Sequence, residues 1–266
     1  MSGARRGFTL LEVLIALAIL GFLGLVFVRI FSSTFDATGN ISARNELLHE
    51  AQIAQQLIAS KVKLAWYVYP AGTTIKINGG KTTANALAGS SSWTVGGGPD
   101  QPFLALVLPP KDPDEDCASD RDGCYRFYAY YAFPRSHYLD DEVIDRDSDQ
   151  RLDPDPRNDG TWVLMEFRST LAGFAPNTGA NPPCTNTPVP NGGLSGSGRL
   201  LVEYVQPQDA SPGYTIFRVL PDGSVELRLR MLKKTAKRTV RVPPPDRPPL
   251  ALKAVPRNYR VGCTGP

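Results

Sequence analysis

The feature that most restricts this chain is an apolar run from Phe8 to Phe31 in which Thr9, Glu12 and Arg29 are the clearly polar residues. Val13 to Val28 is 16 residues without a charge, and counting back to Phe8 gives 21. A helix of that length crosses the ~30 Å hydrocarbon layer of a bilayer at about 1.5 Å per residue. A globular domain has little use for a helix that is apolar all round, so the segment must lie in lipid or among helices like itself. Arg5 and Arg6 precede the run, and the positive-inside bias keeps that end cytoplasmic, which places the chain after Arg29 on the exported side. An ordinary cleaved secretory signal would carry a shorter apolar core, about 7–15 residues, closed by a small-residue site. Here the pattern stays helical instead: Leu47, Ala51, Ala54, Ile58, Val62 and Ala65 are spaced by three or four. No proline occurs before Pro70, so one helix is predicted from Phe8 to about Tyr67. Gly21, Gly24 and Gly39 are its weak points.

Glu12 is the residue that gives this helix a meaning. A carboxylate inside a membrane segment costs roughly 2.5 kcal/mol or more and calls for a partner. Cleavage between Gly7 and Phe8 would create an ammonium at Phe8, within a helical turn of Glu12 or close to Glu12 of a neighbouring copy.

The basic leader ending in Gly7, followed by Phe8, Glu12 and the run FTLLEVLIALAILG from Phe8 to Gly21, resembles the processing and assembly segment of type IV pilins and type II secretion pseudopilins. The resemblance covers about the first 30 residues. It implies that a prepilin peptidase cuts after Gly7 and methylates the amine of Phe8. It further implies that an inner-membrane assembly platform moves the subunit from lipid into a filament of other pilin or pseudopilin subunits, guided by Glu12. Many pilins bend this helix with a proline some twenty residues into the mature chain; none stands there in this sequence, so local melting would have to use Gly21 or Gly24. On this reading 1–7 is a leader, 8–31 a transmembrane assembly helix, 32–69 its amphipathic continuation and 70–266 an exported β-rich domain. The subunit is a single-pass inner-membrane protein before assembly, then part of a surface pilus or periplasmic pseudopilus. The size and irregular loops resemble the larger minor pilins of the W type or pseudopilins of the J type more than a compact repeating subunit.

Beyond Pro70 the pattern turns to short β-rich runs. Strands are predicted at 73–77, 93–95, 103–108, 125–133, 162–167, 200–205, 215–219, 224–232 and 239–242. Leu220-Pro221-Asp222-Gly223 supplies a turn between two of them. The fold class is α+β: the amphipathic half of the long helix packed on an antiparallel sheet, with long disulfide-bearing loops. Gly80-Lys81-Thr82 copies the end of a phosphate loop, but Ile75 occupies the first glycine position. Asn78-Gly79 reads better as a hairpin turn. The chain has 24 Gly and 24 Pro in 266 residues, which fits many loops, and 42% hydrophobic residues still suffice for a core.

Cys117, Cys124, Cys184 and Cys263 all follow the membrane segment, where disulfides persist. The expected pairing is Cys117 with Cys124 and Cys184 with Cys263. A zinc site is disfavoured because no two are spaced as CxxC. Between Asp112 and Asp159 stand 15 acidic residues against 6 Arg. Within that stretch Asp145, Asp147, Asp149 and Asp153 alternate as in the start of a calcium loop. Gln150 replaces the turn glycine and Pro156 takes the twelfth position, so calcium competes with a simple solvated acidic loop. No other cofactor is called for. From Arg228 to Arg260 there are 11 cations against Asp246 alone. Arg228, Arg230, Lys233, Lys234, Lys237, Arg238 and Arg241 would meet either the acidic loop, in the same chain or the next, or a DNA backbone. The net charge of +3 does not by itself announce a nucleic-acid partner. Two histidines, His49 and His137, and the lack of GxSxG or HExxH speak against an anchored enzyme.

Overall fold

The computed structural model describes residues 9–80, 82–98, 100–139, 152, 155–172, 174, 193–210 and 212–257. In chain order the elements are α1 (Leu10–Leu64), β1 (Tyr67–Val68), β2 (Thr74–Asn78), β3 (Ser92–Thr94), β4 (Phe103–Leu108), β5 (Tyr125–Pro134) and α2 (Arg135–Leu139). They continue as β6 (Trp162–Leu171), β7 (Leu194–Ser195), β8 (Ser197–Val205), β9 (Phe217–Val219), β10 (Val225–Leu229), β11 (Met231–Lys234), β12 (Thr239–Val242) and β13 (Leu250–Ala254). The chain divides into two units, Met1–Asn45 and Glu46–Pro266, and α1 contributes to both.

In the first unit α1 presents apolar side chains to every side: Leu11, Leu17, Leu20, Phe22, Leu25 and Val28 are all more than half exposed. Ser32, Thr34 and Thr38 donate to the carbonyls of Arg29, Ile30 and Thr34 within the helix. That is the state expected of a rod built for lipid or for other helices.

The second unit is organised by a seven-stranded antiparallel sheet in the order β1-β4-β5-β6-β8-β11-β12. Leu47, Ala51, Ala54, Ile58 and Val62 of α1 are buried in one cluster with Leu104, Leu106, Tyr130 and Leu164 of the sheet. The opposite face carries Phe103, Ala105, Val107, Tyr131 and Phe167 into a second cluster with Ile75, Ile77 and Trp93. Because both faces are covered, all six residues of β4 are buried, which is why its sequence shows no polar alternation. Trp93 closes the second cluster: its ring stacks on Phe103 at 5.5 Å and its indole N–H donates to the carbonyl of Thr83 at 2.9 Å.

The predicted α+β class therefore holds, with specific differences. The helix ends at Leu64, because the Trp66 N–H instead donates to the carbonyl of Val107 at 2.8 Å and begins β1. Among the described residues there are three sheets rather than one; β13-β10-β9 and β3-β2-β7 are separate. The run predicted as one strand over 224–232 is two, β10 and β11, in different sheets. The Tyr214 hydroxyl accepts the Arg230 N–H at 3.0 Å and reaches the Arg228 carbonyl at 3.2 Å, so a side chain replaces the ladder where the chain changes sheet. Asn78-Gly79 is not a hairpin turn. Asn78 ends β2, which pairs with β3 through residues 16 to 20 positions apart and with β7 in parallel. Gly79 is needed there because a Cβ would collide with the Gly196 carbonyl. The β9 to β10 hairpin stands as predicted, with Val225 opposite Val219 and the Gly223 N–H closing on the Leu220 carbonyl at 2.9 Å.

Where α1 enters the second unit, charged groups gather under it. Lys233 Nζ reaches Glu46 Oε1 at 2.8 Å and lies 4.6 Å from the centre of the Tyr204 ring. Arg135, fully buried, reaches Asp159 and Glu203 at 3.4 and 3.5 Å. Glu50 sits beside them, and among the described residues nothing hydrogen-bonds its buried Oε2. Burial first, then the charges of Glu46 and Glu203, push its carboxyl up to about 7, against the opposing pull of Lys233. A carboxyl raised in the folded state binds its proton more tightly there than in the unfolded chain, so its contribution falls as pH rises from about 4.5 through 7. Glu50→Gln is expected to stabilise the protein at pH 8 by about 1–2 kcal/mol, solvent screening included, and to change little at pH 4. Thermal denaturation of both proteins at the two pH values checks it.

Candidate functional site

The site is the start of α1. Thr9 and Glu12 form a reciprocal N-terminal cap: the Glu12 N–H donates to Thr9 Oγ1 at 3.3 Å, while the Thr9 N–H donates to Glu12 Oε2 at 3.0 Å. The Thr9 hydroxyl also reaches Oε2, at 3.1 Å. A helix begins with backbone N–H groups that lack intrahelical partners, and this arrangement satisfies two of them reciprocally. The signal was present in the sequence as Thr9-x-x-Glu12, the spacing of a capping box, and was masked by the stronger reading of Glu12 as a membrane charge. Both contacts fall on one carboxylate oxygen, and a carboxylate offers about four acceptor positions. Glu12 is thus held in orientation through Oε2, and among the described residues nothing hydrogen-bonds its Oε1.

Around it the helix surface alternates bulk and gaps. A Cβ built on Gly21, Gly24 or Gly39 would meet nothing within 4 Å. Phe27, Phe31 and Phe35 form a ladder with ring centroids 6.3 and 6.4 Å apart. Knobs beside notches on one rod permit close approach of another helix.

The remaining candidates divide as follows. Gly7 and Phe8 lie outside the described residues, as do Cys184 and Cys263 and all four calcium candidates, Asp145, Asp147, Asp149 and Asp153. Cys117 and Cys124 are joined by a disulfide with their Cα atoms 4.4 Å apart, the predicted pairing. The cations read as one basic surface are split. Arg228 lies on β10. Arg230 is turned inward: its guanidinium donates to the Arg247 carbonyl at 2.8 Å and lies 5.9 Å from the Tyr214 ring centre. Lys233 is committed to Glu46 and Tyr204. Lys234, Lys237, Arg238 and Arg241 stay exposed on the β11 to β12 hairpin. Arg157 joins three of them in lining an open cleft, which sequence counting missed because it lies 77 or more positions away.

Residues 3–28 match the family described as the prokaryotic N-terminal methylation motif. A pilin-like protein of Thermus thermophilus, PilA3, is 41% identical over 61 residues, which is 23% of this chain and 26% of that protein. The match thus spans about a quarter of the curated relative's length. No solved structure matches the chain. With an apolar helix of membrane-spanning length from Leu10 onward, a capped carboxylate at its start and the methylation motif over it, the first part of the chain is similar to the N-terminal segment of a type IV pilin-like protein.

Proposed function

We propose that this chain is a non-enzymatic structural subunit, a minor pilin or pseudopilin, of a type IV pilus or type II secretion-like filament. The observation that carries the proposal is Glu12: an oriented carboxylate at the head of an exposed apolar helix, whose described partner is a residue of its own first turn. The subunit inserts with Arg5 and Arg6 inside. A prepilin peptidase cuts after Gly7 and methylates Phe8. The assembly platform then draws the helix out of lipid into a bundle of other subunits. Apolar helices lose little on leaving lipid for one another, so the selectivity must come from polar groups, and Glu12 meeting the Phe8 amine of a neighbour penalises wrong registers. Fibres sheared from cells and probed for this chain test the reading; absence from that fraction and from any periplasmic filament would refute it. Calcium held by Asp145, Asp147, Asp149 and Asp153 belongs to the same proposal, and titration calorimetry that shows no heat with Ca²⁺ would remove it.

A second reading, a tip subunit that binds DNA during uptake, has the exposed hairpin cations in its favour. It predicts binding to duplex DNA that weakens steeply with added salt. Equal retention of the protein with and without Lys234→Glu/Arg238→Glu would discard it.

A further inference from the structure

The large sheet has its least regular backbone where it meets the first turns of α1 in the second unit. β6 and β8 pair Trp162 with Val205 and Leu164 with Val202, so Val163 alone stands opposite both Glu203 and Tyr204. Two residues facing one make a β-bulge, which re-aims the side chains it carries. Tyr204 has φ of 59°, and among the described residues no other non-glycine lies in the left-handed region. An aromatic residue persists there only where its surroundings hold it. Here the Arg135 guanidinium lies 5.7 Å and Lys233 Nζ 4.6 Å from the centre of its ring. The bulge thus brings Glu203 and Tyr204 within electrostatic reach of Glu46 and Glu50 on α1.

Pairing the charges in this cluster leaves one carboxyl over. Lys233 on β11 is taken by Glu46 at 2.8 Å. Arg135, at the start of α2, is shared by Asp159 at 3.4 Å and Glu203 at 3.5 Å. Among the described residues Glu50 has no ion pair, and its buried Oε2 receives no hydrogen bond. Glu46 precedes it by one helical turn on the same side of α1, where two like charges repel. The remaining titratable neighbours, Tyr204 and Tyr138, are phenols that burial keeps neutral, so they supply no countercharge. Ionised Glu50 therefore adds an anion to a set whose two cations are already committed, and protonated Glu50 adds none. Burial, then the charges of Glu46 and Glu203, push its carboxyl up to about 7.

We propose that this cluster is a proton-operated clasp on α1: with Glu50 protonated, residues 46–51 are held against the bulge of β8, and with Glu50 ionised they open locally while the later turns stay packed. The clasp holds down Leu47 and Ala51, both fully buried. Farther along, Gln55 Nε2 donates to the Leu250 carbonyl at 2.7 Å and the Arg257 N–H donates to the Lys63 carbonyl at 2.9 Å. Those anchors do not titrate, so opening stops at the first docked turns. The consequence for assembly rests on the filament reading above: the pH of the exported compartment would set whether about two more turns of α1 are free to follow neighbouring helices.

Amide hydrogen exchange of the full chain in detergent tests the clasp without any fibre. Read between pH 5 and 8 and corrected for the intrinsic pH dependence of exchange, the protection of residues 46–51 is expected to fall about tenfold. Each unit by which the folded carboxyl is raised favours the closed form tenfold, and solvent screening of a half-buried group takes back part of this. At both pH values these amides are expected to exchange faster than those of β5 and β6, the mark of local opening. Glu50→Gln is expected to hold their protection level across the range. Glu46→Gln, which frees Lys233 for Glu50, is expected to shrink the loss to about threefold or less, a change that a mere packing role of Glu50 would not produce. Wild-type protection of 46–51 that is flat with pH, that equals that of β5 and β6, or that is lost equally in Glu50→Gln would overturn the clasp. Absence of the chain from fibres would instead refute the filament reading and leave the exchange result standing.

Discussion

Glu12→Ala is expected to leave cleavage after Gly7 intact and to reduce the chain's incorporation into fibres by about tenfold or more. The size follows from the role proposed for the residue. Removing one partner of a hydrogen-bonded charge pair in a water-poor interface costs roughly 2–5 kcal/mol, largely because the other charge is left alone. Loss of the N-terminal cap contributes about 1 kcal/mol besides. Two further substitutions separate these parts. Thr9→Val removes the hydroxyl that reaches Glu12 Oε2 at 3.1 Å but keeps the carboxylate, so its effect is expected to be severalfold smaller. Glu12→Gln keeps an acceptor for the Thr9 N–H and removes the charge, so it is expected to assemble nearly as poorly as the alanine variant. A glutamine variant that assembled like wild type would show that the cap matters and the ion pair does not. Quantitative blotting of sheared fibres against membranes reads all three.

Gly7→Leu is expected to have the larger effect, an all-or-none block. The residue before Phe8 carries no side chain, and a branched one at that position would obstruct the peptidase and keep the leader attached. The uncut chain retains Arg5 and Arg6 beside the helix and never frees the Phe8 amine, so Glu12 meets a buried environment without its counter-charge. Precursor of higher mass should accumulate in membranes while the chain disappears from fibres. Normal processing in this variant would place the cleavage elsewhere.

How much of this was legible in the sequence depended on whether the determining contact was local. The second half of α1 could be read because its buried positions recur every three or four residues, and Leu47, Ala51, Ala54, Ile58 and Val62 are indeed at most 2% exposed. The strand over 103–108 could be read because a six-residue apolar run is too short for a helix and both of its faces are covered. The division at Arg230 could not, because it is made by Tyr214, a side chain 16 positions away. β13 escaped because Leu250–Ala254 alternates only weakly between flanking prolines, and its pairing with β10 is a tertiary fact. Asn78-Gly79 misled for a related reason: the glycine answers a close approach by Gly196, where a local reading sees only turn chemistry.

The same distinction governs the site. Gly7, Phe8 and Glu12 form a compact pattern whose chemistry is carried by order along the chain, so they stand out without a fold. The charged surfaces do not. Counting cations from Arg228 to Arg260 pooled residues that the structure sends to a separate sheet, an inward cation–π contact and a pair with Glu46. Lys234, Lys237, Arg238 and Arg241 remain exposed on the hairpin, while Arg247, Lys253 and Arg257 are exposed elsewhere, and which of them share a surface is a matter of strand order. Glu50 likewise looks like an ordinary polar position on a helix until Glu46, Glu203 and Lys233 are seen to crowd it.

The account stands most directly on the intact mass of the polypeptide recovered from the membranes or fibres of cells that express it. It predicts a chain that begins at Phe8, shortened by Met1 to Gly7 and heavier by one methyl group on its amine. A polypeptide that still carries Met1 to Gly7 would contradict it, because Glu12 would then have no freed terminus to meet.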